Sequence, residues 1–479
     1  MWYLLLIIPA AILIFLAVIL IRAAAFKPKA QPNVTEAEEK FDGDEAIKKL
    51  GELVRFKTVS YKDSALEDDT EFRKLIDALP ALYPNVFKVC KFTEMENRGL
   101  LFHWKGKNNG APAVMMAHYD VVPVNEDAWS VPAFEAVIKD GCMWGRGTLD
   151  TKVTVNGVLY AAEHLISEGF TPENDIYFAF SGGEEVNGEG AVRIVEYFEK
   201  NGIDPAFVID EGGAVVENVF PGVKQACGLI GIAEKGMIDV CYTAKSSGGH
   251  ASAPKPNAPI DRLSKACRDV LDNPFKAHLT KPVAEMFDTL GRYSSFVYKV
   301  IFANINIFLP VLDMICKKGG GELNALMRTT VAFTQASGSA ASNVIPPKAT
   351  LVSNIRLNPE DNIDSALEYL QKVIGDNDVD VELLNGMNPS RISRTDCDGY
   401  AKVASAVAST WKGCIVSPYL MVQCSDSRHY GRISDKVYRF SAMDLTSEER
   451  ATIHGNDEHI RLETAKSAVE FYIRLMRQC

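Results

Sequence analysis

The chain lacks any Cys-x-x-Cys pair among its ten cysteines, which argues against a cysteine zinc site. The cysteines are scattered rather than packed into the dense framework of a small secreted scaffold, a usage that suits a reducing compartment. Cys90, Cys142, Cys227 and Cys241 lie in or near strand-like runs and read as buried thiols. Basic residues are in deficit: 51 Lys and Arg against 62 Asp and Glu leave a net charge of -11. With that balance and no basic stripe carrying aromatics, nucleic acid is not expected as a partner. Charge is also missing from Trp2 to Ile21, and no Lys or Arg precedes that run. No other run equals it. Ser294 to Cys316 is very apolar but is broken by Lys299, Asn304, Asn306, Pro310 and Asp313, which argues against a second membrane span. It reads instead as buried helices, or as a greasy wall for an apolar substrate tail.

What is present fits a large globular protein. With 479 residues, 47% hydrophobic and 24% charged, two domains are expected. The run Trp2–Ile21 is long enough to cross a bilayer and lacks the basic start of a signal peptide, so it reads as an uncleaved single-pass anchor. Arg22, Lys27 and Lys29 follow it, which by the positive-inside rule puts the body in the cytoplasm. Ala23-Ala24-Ala25 also offers a cleavage site, and the side of the membrane stays open. The expected units are an anchor at 1–26, a linker at 27–43, a catalytic domain in two parts at 44–230 and 385–479, and an inserted α+β module at 231–384.

Along the chain, strand-like runs alternate with helical periodicity, which predicts an α/β domain with a largely parallel sheet. The run Val114–Ala117 ends in His118, with Asp120 two residues on and on the same face of an extended backbone. A Gly-rich turn, Gly145-Arg146-Gly147, leads to Asp150. Asp175–Phe180 runs into Glu184-Glu185, and Ala206–Ile209 runs into Asp210. Separate segments thus deliver acids and a histidine to the carboxyl ends of strands, where open α/β sheets bind ligands. Taken singly, Asp150 reads equally as a helix cap, Glu184-Glu185 as a solvated turn and His454 as a surface histidine.

The ordered set of motifs resembles the dizinc metallopeptidases of the aminoacylase and carboxypeptidase S family. Its nearest likeness is to the branch of carboxypeptidase S and the N-fatty-acyl-amino-acid hydrolases. The resemblance rests on Ala117-His118-Tyr119-Asp120, Trp144-Gly145-Arg146-Gly147-Thr148-Leu149-Asp150, Gly183-Glu184-Glu185, Asp210-Glu211-Gly212-Gly213, Gly249-His250-Ala251-Ser252, Asn343-Val344-Ile345-Pro346 and His454-Gly455. It implies that His118 and Asp210 hold one metal, Glu185 and His454 the other, and that Asp150 bridges them. It further implies that Asp120 orients His118 and that Glu184 is the general base and acid. Two Zn2+ per subunit are expected, with Co2+ or Mn2+ as substitutes. The insert becomes a ferredoxin-like lid and homodimerisation domain. From it His250 reaches a neighbouring active site, with Asn343 as a polar partner, and Arg356 pairs with the substrate carboxylate. The implied reaction is hydrolysis of an amide next to a free carboxylate, in a peptide or an N-acyl amino acid. An aminopeptidase or dipeptidase of the same chemistry, or an inactive anchored binding protein, are the rival readings. Gln423-Cys424-Ser425-Asp426 departs from the family's usual Gly-Gly-Thr-Asp and leaves substrate preference open.

Overall fold

A computed structural model describes residues 2–375 and 377–479. The strand Ala113–His118 is buried at every position, as its unbroken apolar sequence requires of a strand covered on both faces. It lies inside an eight-stranded sheet. The order is Lys91–Met95, Gly99–Trp104, Ile176–Ser181, Ala113–His118, Phe207–Val216, Val437–Leu445, Cys227–Glu234 and Ile415–Met421. Ala113–His118 runs parallel to both of its neighbours, so three strands end on one edge. The helix Lys152–Ser167 covers one face and is almost wholly buried. It packs against the last helix, Leu462–Met476, and the two approach so closely at Gly157 that a Cβ there would sit 3.1 Å from the Tyr472 ring.

A second sheet of four antiparallel strands follows, in the order Thr330–Ser337, Lys348–Leu357, Gly236–Lys245, Asp380–Met387. The helices Pro259–Asp272 and Ile363–Ile374 pack on it through Leu263, Ala266, Leu370 and Ile374. The change of sheet falls at Lys235, since Gly231 still belongs to the strand Cys227–Glu234 of the large sheet. The helices between 281 and 327 do not join the small sheet's core. Val283, Met286, Phe287, Leu290 and Phe302 pack into the main one. Ser294–Cys316 is therefore not fully buried. Only Phe302, Asn304, Leu312 and Cys316 are buried after Ser294, and much of the rest faces outward.

The N-terminal helix spans Trp2–Ala25, about 36 Å at the usual helical rise. Residues 7–18 are exposed throughout, and Ile19 and Ala23 are buried. The segment after it is not a free tether. Gln31 accepts from the Val416 amide (3.0 Å), Asn33 O from Ser405 Oγ (2.9 Å), and Ala37 O from Arg474 (2.8 Å).

Candidate active site

The strand Ala113–His118 delivers His118 to the sheet edge. The ring's Nδ1 lies 3.0 Å from the Asp120 main-chain oxygen and 3.4 Å from its carboxylate. Donation from Nδ1 leaves Nε2 facing the cleft, the arrangement a metal-binding imidazole needs. The Asp120 carboxylate is itself fixed by the amides of Glu184 and Glu185, each at 3.2 Å. Asp120 thus ties the histidine to the acidic turn as well as orienting it. Glu184–Val186 is a 3-10 turn rather than extended chain, and it is this turn that splays the two adjacent carboxylates apart.

Asp150 sits between the two histidines. One carboxylate oxygen is 2.9 Å from His118 Nε2 and the other 3.0 Å from His454 Nε2. Glu185 is 3.1 Å from His454 Nε2. His454 itself is 52% exposed at its side chain and holds a left-handed backbone, φ 60°. That conformation is unfavourable for a non-glycine residue and is kept only where the surroundings impose it.

Glu211, not Asp210, meets His118. Its carboxylate lies 3.4 Å from Nε2 and groups there with Glu184. Asp210 instead accepts the Ser427 amide at 2.9 Å and is 2% exposed. The cause is a bulge. Asp210 pairs with Arg439 and Gly213 with Phe440, which leaves Glu211 and Gly212 unmatched and re-aims Glu211 into the cleft. The sequence shows two adjacent acids but not the register that decides which one faces inward.

The electrostatics call for cations. Asp120, Asp150, Glu184, Glu185 and Glu211 crowd around only His118 and His454. Burial pushes the Glu184 carboxyl well above the ordinary range and lifts Glu211 to about 8. Burial also opposes ionisation of Asp150, but hydrogen bonds from His118 and His454 outweigh it and hold that carboxyl low. Hydrogen bonds to Asp150 and Glu185 raise His454 to about 10. Glu185 Oε1 is buried with no hydrogen-bond partner among the described residues. Such an oxygen costs about 1–3 kcal/mol unless something positive meets it. Nitrogen and carboxylate donors in this number suit divalent metal ions, and the residues fit that group.

The other sequence-derived candidates lie apart. His250 and Asn343 are exposed at a two-stranded pairing, Gly249–His250 against Val344–Ile345. Arg356 is half-buried on the small sheet, with Nη1 3.4 Å from Cys424 Sγ. The loop carrying Cys424 also supplies Ser427 to Asp210, and its Asp426 accepts from Ser181.

Glu458 is fully buried and accepts from Arg146 (2.6 Å) and from the amides of Gly147, Leu149 (2.7 Å) and Asp150 (3.2 Å). Gly147 turns at φ 88°, a conformation suited to glycine. Arg146 also donates to Gly455 O at 2.8 Å. The turn that carries Asp150 and the loop that carries His454 are therefore one bonded unit.

Residues 114–478 match the sequence pattern of peptidase family M20/M25/M40. The chain belongs to this family. A Dictyostelium discoideum protein named probable carboxypeptidase S-like 2 is 32% identical over 477 residues, 97% of this chain and 92% of that protein. The Xenopus tropicalis N-fatty-acyl-amino acid synthase/hydrolase PM20D1 is 32% identical over 481 residues, 97% of this chain and 93% of its own length. An M20 family metallo-carboxypeptidase from Sulfolobus solfataricus shares the fold at TM-score 0.67 and 17% identity, over 91% of this chain and 99% of that one. As an M20 peptidase, the protein is a metal-dependent amide hydrolase with a mixed α/β fold and a parallel-rich sheet. In this M20 chain His118, Asp150 and Glu185 form a cluster that could hold a metal ion, and His454 lies beside it.

Proposed function

We propose that the protein hydrolyses an amide whose nitrogen-side product carries a free carboxylate, in N-acyl amino acids or at peptide C-termini. The observation that carries this reading is Arg356. Its guanidinium is half-buried and forms no ion pair among the described residues, although the chain has a net charge of -11. A guanidinium left open in that way suits bidentate binding of a carboxylate. The printed activities of the relatives, carboxypeptidase and N-fatty-acyl-amino acid hydrolase, support the same class. The test compares N-acyl amino acids with their methyl esters. We expect kcat/KM on the ester to fall by about tenfold or more, the scale of a lost charge-assisted contact. Equal rates on acid and ester would overturn the carboxylate reading.

Two Zn2+ ions are the proposed metals. His118 and Glu211 would hold one and Glu185 and His454 the other, with Asp150, which lies between the two histidines, as a further donor. Bound divalent metal supplies Lewis-acid chemistry that acidifies a water and polarises the carbonyl. Glu184 would take the proton from the attacking water and give it to the leaving amine. Arg356 orients the substrate through its carboxylate. Placing Glu211 where the resemblance put Asp210 rests on the bulge. Glu211→Gln is expected to weaken metal binding more than about 100-fold, and Asp210→Asn, which acts through its contacts only, about tenfold. Chelator competition with metal analysis reads both, and the reverse order would restore Asp210 as the ligand.

The unit 236–387, without the helices between 281 and 327, is proposed as a ferredoxin-like lid that also pairs two copies. The β-α-β-β-α-β order of its strands and helices supports this. So does the exposure of His250 and Asn343, which would serve a second copy's cleft. Co-expressed Glu184→Gln and His250→Ala chains should regain activity that neither has alone. No recovery in a verified mixed dimer would refute the shared site. The helix Trp2–Ala25 is proposed as a bilayer anchor on its length and the outward apolar side chains of residues 7–18. Labelling of residues 7–21 by a photoreactive lipid tests it.

A further inference from the structure

We infer that a second surface, on the helices Phe296–Phe302 and Ile305–Gly319, docks into the interfacial layer of the same bilayer as the N-terminal helix. This rests on the anchor reading above. The two helices bend by 105° at residues 303–304 and so do not form one straight span. The second helix is apolar on two sides. Leu312 and Cys316 face inward and are buried. Ile307, Val311, Met314 and Ile315 recur at helical spacing on another side and are 43%, 45%, 63% and 56% exposed. Phe296 and Val297 extend the patch at 52% and 72% exposed. A soluble face has no reason to carry this stripe, and contiguous exposed apolar patches mark contact surfaces.

What identifies the occupant is the seat of these helices on the anchor. The Asn304 side chain, at the bend, donates to the Ile19 carbonyl at 3.2 Å. Ile19 lies two residues before Ile21, the end of the charge-free run, a rise of about 3 Å. The bend is thus held at the depth of the hydrocarbon boundary once Trp2–Ile21 spans the bilayer. Phe26 and Lys27, just beyond the anchor, are clasped by Arg292, whose guanidinium stands 4.3 Å from the Phe26 ring and donates to Lys27 O at 2.9 Å. The two surfaces therefore move as one. Lys299 and Lys318 flank the patch and form no ion pair among the described residues, which suits long cationic side chains reaching to headgroups. An apolar face with basic flanks lying in the membrane plane is the pattern of an interfacial helix.

The test uses the full chain in phosphatidylcholine/phosphatidylserine vesicles. They contain a phosphatidylcholine with a diazirine part-way along one acyl chain. After irradiation, lipid adducts are mapped by mass spectrometry. Adducts are expected on both 7–21 and 296–315. In the Val297→Asp, Val311→Asp variant, adducts on 296–315 should fall about tenfold or more, since a carboxylate resists transfer into hydrocarbon. Those on 7–21 should persist, with thermal unfolding unchanged. Adducts on 7–21 with none on 296–315 would overturn the inference and leave the anchor standing. Adducts on neither would overturn both. Cross-links between the 296–315 segments of two copies, without lipid adducts, would make the patch a contact between copies and also end the inference.

Discussion

Glu184→Gln will lower kcat by about 10²–10⁴-fold, the usual contribution of a positioned acid–base group, and will leave the metal content unchanged. Glu184 lies among His118 and Glu211, and its backbone amide is fixed on Asp120. Burial pushes its carboxyl up, the direction that favours holding and passing on a proton. Glutamine keeps the shape and removes the exchange. Metal analysis separates this role from that of Glu185, whose carboxylate is 3.1 Å from His454 and partly unpartnered. If Glu184→Gln stripped the metal, Glu184 would be a ligand. If it left kcat within about threefold, the proton-transfer role would fail.

Glu458→Ala should destabilise the fold by about 3–5 kcal/mol, the usual effect of removing one partner of a buried pair. Denaturant melts would read the loss. Arg146 would be left buried without its carboxylate, being 2% exposed, and three backbone amides would lose their acceptor. The turn Gly145–Asp150 is shaped by that carboxylate. Metal affinity should therefore fall in whatever fraction stays folded, although Glu458 touches no metal. A second variant guards the conclusion. Glu458→Gln keeps the volume and one acceptor oxygen, so it should fold, hold metal less well and lose activity in step with metal occupancy. Unchanged metal affinity in a folded Glu458→Gln protein would show that the network supports the fold alone.

Much of the architecture was legible because periodicity and burial agree. The charge-free run Trp2–Ile21 lies within one helix, and the all-apolar run before His118 is the central strand. Asp150 lies within 3.0 Å of both His118 and His454, and Glu185 within 3.1 Å of His454. The rest depended on facts that a linear pattern does not carry. Which of Asp210 and Glu211 faces the cleft is set by a bulge against another strand. The role of Glu458 arises from a turn more than three hundred positions earlier. The helices from 281 to 327 read as part of the small module, because an apolar stripe records that a face is buried without saying against which core.

The strap of chain after the N-terminal helix has a mechanical consequence. A free linker of the length of 27–43 would let the body wander by about 20–25 Å in root-mean-square distance. Here Lys29 is paired with Asp288, Asn33 with Ser405 and Glu39 with Arg477. With the helix in a bilayer, body and anchor share one orientation, and the cleft stands at a fixed altitude over the lipid. A substrate held in the membrane would then meet the cleft by a planar search at one height and one tilt, not by the roaming of a tethered domain.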